Sequence, residues 1–124
     1  MDLPNFTILY VENVEHSLAF YRPLLDREPV EVMDGFALFV SESGTKFALW
    51  AKRDVIPALD TERAGAMEVA FMVSNLIMLQ ITHTKWRELD VTIIQEPTEL
   101  DFGTTFTAVD PDGHRLRVYC SEKA

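Results

Sequence analysis

The residues able to do chemistry are few in this chain and scattered. They are three histidines, His16, His83 and His114, one cysteine, Cys120, and a late alternation of charged residues that includes Arg115 and Arg117. Nucleophilic catalysis needs a thiol or hydroxyl beside a base that can take its proton. Cys120 ends the last apolar run with no histidine near it in sequence, a place where a thiol is more often a small buried hydrophobe. His16 and His83 fall inside helical patterns and His114 follows an Asp-Gly turn where exposure is expected; isolated histidines in such places are usually structural. No glycine-rich phosphate loop, G-x-S-x-G elbow or H-E-x-x-H helix occurs. What remains is binding chemistry. The indole of Trp50 offers a flat face to a planar ligand, and the guanidinium of Arg117 can stack or hold a carboxylate.

Those side chains need elements to place them. Residues 6–11 (FTILYV) read as a strand, and Asn13 opens a helix running to about Leu25, with Glu15 in its first turn and a broad apolar face of Val14, Leu18, Phe20, Tyr21, Leu24 and Leu25. Short strands follow over residues 29–33, 36–41 and 46–52, separated by turns at Asp34-Gly35 and Ser43-Gly44. Residues 54–66 form a connector without periodicity. The order then restarts: a strand at 67–73, a helix over 75–89 with Ser74 or Asn75 as N-cap and Leu76, Leu79, Ile81, His83 and Trp86 mostly to one side, then strands at 91–94, 104–109 and 115–119. The last two form a hairpin across Asp110-Pro111-Asp112-Gly113, where proline presets φ and glycine accepts the positive φ that closes the turn. The expectation is an α+β chain of two βαβββ modules, the first at about 1–54, a linker at 55–65, and the second at about 66–121. Each module leaves one sheet face uncovered by its own helix, so a pair of open faces is where a site is expected.

At 124 residues the chain suits one domain burying roughly 65% of its unfolded surface. A net charge of −9 disfavours nucleic acid and anionic membranes as partners. With a single cysteine, no run long enough to span a bilayer and no signal-like N-terminus, the expected address is cytoplasmic.

Three stretches, ILYVENVEHSLAFYRPLL from Ile8, MEVAFMVSN from Met67 and FGTTFTAVDPDGHRLRVY from Phe102, resemble the vicinal oxygen chelate superfamily. That superfamily embraces glyoxalase I, extradiol dioxygenases, fosfomycin-resistance enzymes and drug-binding bleomycin-type resistance proteins. The resemblance implies curved mixed sheets and a homodimer with shared clefts. It also implies where a divalent metal would be held: a His or Gln on the first strand, Glu on the fourth, His on the fifth and Glu on the eighth. The matching positions here are Phe6, Ala48 or Trp50, Glu68 and Arg117, of which only Glu68 could ligate. A catalytic cation needs about three protein ligands, so no metal, cofactor or catalytic residue is expected.

The stretches LYVENVEHSLAFYRPLL, EPVEV, FALW and EPTELDFGTTF are further similar to members of the superfamily that sequester planar phenazine antibiotics. In these the tryptophan of the FALW strand stacks on the ligand, which implies that role for Trp50. The expected partner is accordingly a planar aromatic small molecule. Its walls would be Phe6 and Tyr10 on the first strand, Phe36 and Phe39 on the third, Glu68 and Met72 on the fifth, Arg117 and Tyr119 on the eighth, and Phe102 in an acidic-aromatic loop at 99–102. Two plainer alternatives stand beside this: Phe6, Trp50 and Tyr119 as core fillers, and Glu68 with Arg117 as a buried ion pair. A metal-dependent lyase or dioxygenase and a pure interaction module are the competing functions.

Overall fold

The computed structural model describes residues 3–59 and 67–124. The chain divides into two compact units, Met1–Arg63 and Ala64–Ala124. The connector expected at 55–65 therefore lies largely outside the described residues, although Val55, expected to open it, is buried. In order, the first unit carries β1 (Phe6–Val11), α1 (Val14–Leu25), β2 (Glu31–Met33), β3 (Phe36–Val40) and β4 (Lys46–Ala51). The second carries β5 (Glu68–Met72), α2 (Leu76–Glu88), β6 (Thr92–Leu100), β7 (Gly103–Val109) and β8 (Arg115–Cys120). The α+β βαβββ repeat is thus realised as two four-stranded mixed sheets, ordered β1-β4-β3-β2 and β5-β8-β7-β6, in each of which one outer pair is parallel.

In the first unit, the Asn13 side chain caps α1 by accepting from the His16 backbone N–H at 2.9 Å. The helix ends at Asp26, whose N–H bonds the Arg22 carbonyl and whose left-handed φ of 50° turns the next N–H, of Arg27, back to the same oxygen at 3.3 Å. Val14, Leu18, Tyr21 and Leu24 of the helix's apolar face are buried, as are Leu9, Val11, Ala37, Leu49 and Ala51 from the strands, whereas Phe20 and Leu25, expected on that face, are half-buried, because each lies about 100° around the helix from its buried neighbour Tyr21 or Leu24. Period-two alternation sends Phe39 and its cross-strand partner Phe47 to that helix side, where Phe47 meets Tyr21 with ring centroids 5.0 Å apart.

The second unit repeats the scheme. Asn75 caps α2 through a bond from the Met78 N–H, and Leu79 and Trp86 are buried. Ile81, expected on the same side, is 54% exposed, because two residues along a helix is more than half a turn. Trp86 packs edge-on against Phe71 and Phe106, and His83 against Phe106. His83 also bonds Glu96 at 2.7 Å, and Arg87 reaches the same carboxylate. His83 is a structural histidine: burial, helped by the Arg87 charge, lowers its pKa from 6.5. Glu96 pulls the other way, but shares its charge with Arg87. Between the lowered value and 6.5 the folded chain binds fewer protons than the unfolded one, so this contribution to stability is present above pH 6.5 and declines as pH falls below it. His83→Gln is expected to flatten the pH dependence of stability in that window, read from urea unfolding at a series of pH values.

Sheet two departs from expectation at β6, which continues through Pro97 to Leu100 instead of stopping at Ile94. The strand is an outer one with register shifts between Ile93 and Gln95 and again before Thr98, and an edge strand with irregular pairing tolerates a residue that has no N–H to donate. Glu99 and Leu100, expected in a loop, are consequently strand residues, and only Asp101 and Phe102 make the turn into β7. At the start of β7, Gly103 has φ +142° and lies so near the end of β8 that a Cβ would sit 2.0 Å from the Cys120 carbonyl oxygen. Gly103→Ala is expected to destabilise by about 3 kcal/mol through backbone clash and strain, measured by chemical denaturation. Cys120 itself is fully buried, as a small hydrophobe should be, and the Asp110–Gly113 turn closes with Gly113 at φ 89° and the Asp110 Oδ1 accepting from the Asp112 and His114 N–H groups. His114, expected to be exposed, is half-buried.

Candidate functional site

On the first unit, the sheet face away from α1 is aromatic and open. Phe6, Ile8 and Tyr10 on β1 are 40%, 39% and 39% exposed. The strand register sets Tyr10 beside Trp50, Trp50 beside Phe36, and Phe36 beside Met33, so one transverse row crosses all four strands. Neighbouring strands lie about 4.8 Å apart, which makes the row about 15 Å long. Tyr10 meets Trp50 edge-on at 6.2 Å and 72°, a geometry that braces the indole from its side. Trp50 and Phe36 are half-buried. Phe6 stands one end of the face away, under the Lys46 ammonium at 5.6 Å from its ring. Phe39 is not part of this surface: it is 2% exposed on the helix side and belongs to the core.

The corresponding face of the second unit is polar at its centre. Arg117 donates from Nε to Glu68 Oε1 at 2.7 Å and from Nη2 to Glu68 Oε2 at 3.3 Å, a two-pronged pair. Its Nη1 reaches Thr105 Oγ1 at 3.2 Å and Gln95 Oε1 at 3.4 Å. Thr107, beside Arg117 on β7, donates to the same Gln95 oxygen at 2.8 Å. Glu68 and Arg117 form an ion pair that is partly exposed and not buried: their side chains retain 37% and 20% exposure. Both oxygens of Glu68 are therefore occupied by a cation. Among the described residues no group of three or more histidine, cysteine or acidic side chains is placed to hold a metal ion.

Toward one end of this face stand Tyr119, half-buried, and Met72, 72% exposed, adjacent in register. Phe102, from the β6–β7 turn, packs edge-on against Tyr119 at 6.1 Å and is 49% exposed. Sequence reasoning thus found the rings of both faces and the central ion pair, but missed Gln95, Thr105 and Thr107. The two threonines carried a signal in the period-two alternation of TTFT opposite RLRVY. Gln95 carried none, since its facing depends on the β6 register shift.

The chain resembles known proteins over nearly its whole length. Residues 4–118 match the Glyoxalase/Bleomycin resistance protein/Dioxygenase superfamily. The chain is 35% identical over 118 residues to the phenazine antibiotic resistance protein EhpR of Enterobacter agglomerans, covering 93% of this chain and 89% of that one. Among solved structures, an Agrobacterium tumefaciens protein determined in solution by NMR shares 44% identity at a TM-score of 0.85, with 97% and 98% of the two chains covered. A glyoxalase-related enzyme from Fulvimarina pelagi reaches the same TM-score of 0.85 at 18% identity, over 97% and 88% of the chains, and shares the fold.

Proposed function

Because this chain belongs to the glyoxalase/bleomycin resistance protein/dioxygenase superfamily, we propose that it is a resistance protein that sequesters a planar aromatic antibiotic or metabolite and makes or breaks no bond. The observation that carries this reading is the row Tyr10–Trp50–Phe36–Met33 on an open sheet face, with the indole half-buried and braced. A flat tricyclic ring system fits within the length of that row, and each well-made stack adds about 0.5–1.5 kcal/mol beyond area burial. The similarity to a phenazine antibiotic resistance protein favours phenazine-like ligands. The pairing of Glu68 with Arg117 supports binding without a metal, since the one carboxylate at a position matching the superfamily's metal ligands already has a counter-ion. In keeping with the superfamily resemblance, the working form is a homodimer in the cytoplasm; light scattering at micromolar concentration checks the dimer, and a monomer there would remove that part.

Tryptophan fluorescence tests the binding. The chain has two tryptophans, and Trp86 is 3% exposed within the core of the second unit, so Trp86→Phe leaves Trp50 as the reporter. Saturable quenching by phenazine is expected. No quenching by phenazines, bleomycin or flat dyes, or a stoichiometric transition metal with turnover of a thiol adduct or catechol, would replace this reading with an interaction module or an enzyme.

A further inference from the structure

Lys46 carries a charge that no carboxylate on its sheet face cancels. Among the described residues no ion pair includes it, and its ammonium lies over the Phe6 ring, a weak hold at an exposed site. Side-chain parity puts it on the face of β4 that carries Trp50, about 13 Å away along the strand, and its four-carbon stem can cover about half of that gap. Between them stands Ala48, the smallest side chain of the face and fully buried, with Ile8 and Leu38 beside it in register. Nothing tall on β4 therefore separates the ammonium from the indole. Of the acidic residues around this face, Glu31 shares it from β2 and Glu42 lies in the β3–β4 turn, and neither pairs with Lys46. Glu31 is two strands and one row away, which sets its Cα about 12 Å from that of Lys46. Beyond the Trp50 end of the strands, Glu12, Asp34 and Asp54 are already engaged by Lys52 and Arg53.

We propose that Lys46 is a specificity-determining residue: among flat aromatic ligands held on the Trp50 row of the first unit, it selects those bearing a carboxylate on the edge directed along β4. This rests on the sequestration reading and deepens it by naming the ligand class. With the ring system lying along the transverse row, a carboxylate on its long edge points over Ala48 toward Lys46. The ammonium then exchanges a weak contact with Phe6 for a charge-assisted hydrogen bond, about twice as strong as a neutral one. Ile8 and Leu38 flank that path, and an apolar surround strengthens the bond further. The net charge of −9 opposes an anion at long range, but salt screens exposed charges beyond about 8 Å, while Lys46 acts at contact.

Phenazine and phenazine-1-carboxylate test this, since they share one ring system and differ in the carboxylate alone. Equilibrium dialysis against the wild-type protein, Lys46→Gln and Lys46→Arg reads both affinities. The ratio of carboxylate to phenazine affinity is expected to fall about fivefold in Lys46→Gln, the upper range for an exposed ion pair. In Lys46→Arg, which keeps the charge, the ratio should stay within about twofold of wild type. A ratio that Lys46→Gln leaves unchanged, whether neither affinity falls or both fall together, would overturn the role of Lys46 while leaving sequestration standing. So would a wild-type protein that binds phenazine and refuses the carboxylate. Absence of binding of either compound to the wild-type protein would overturn both.

Discussion

Trp50→Ala is expected to weaken binding of a planar aromatic ligand by about thirtyfold or more, the size of effect that a tryptophan anchor at the centre of a binding surface shows on truncation. The fold should survive it. Trp50 faces away from α1, while the residues on either side of it in β4, Leu49 and Ala51, are the ones that build the core. What the protein itself loses is one edge contact with Tyr10 and some area shared with Phe36, about 1 kcal/mol in all. Equilibrium dialysis against phenazine, which does not depend on the tryptophan signal, reads the affinity, and circular dichroism on heating reads the fold. Trp50→Phe should recover part of the binding, since a smaller ring still offers a face. Undiminished affinity in Trp50→Ala would show that the ligand lies elsewhere.

Phe106→Ala is expected to have the largest effect on stability, about 3–5 kcal/mol, because it removes a wholly buried ring from between two others. Phe106 sits at the middle of β7 with Trp86 at 5.4 Å and His83 at 5.1 Å, both edge-on. Neither of these neighbours can fill the space: Trp86 is held by Phe71 as well, and His83 by Glu96. Against a total stability of about 5–15 kcal/mol, such a loss leaves little margin. Urea unfolding followed by Trp86 emission measures it. A loss below about 1 kcal/mol would mean that α2 closes onto the sheet and the cavity collapses.

Strand alternation announces which side chains of the Trp50 and Phe36 strands stand together, because a period of two fixes the facing of every residue once the strand is recognised. The same rule, applied to Phe39, puts it opposite Phe36, yet the family resemblance places it among the ligand walls; its burial with Phe47 follows from parity. Asn13 is legible as the start of its helix, Ser74 or Asn75 as the cap of the second, of which the structure uses Asn75, and the Asp110–Gly113 turn from its proline and glycine, because capping and turn chemistry act within a few residues. The end of β6 is not legible. Pro97 reads as a strand breaker, and only its position on an outer strand makes it harmless.

By itself the sequence determined the repeat of βαβββ, the family and the hairpin, since all of these rest on local periodicity and short motifs. Tertiary structure decided the rest. Glu68 and Arg117 are 49 residues apart, and their pairing depends on β5 and β8 running parallel side by side, a long-range contact that no local signal encodes. Gln95 owes its orientation to a register shift in β6 and to two neighbours from other strands that fix its amide. Residue types set which interactions are available; the distances and directions that select among them come from strands brought together across the chain.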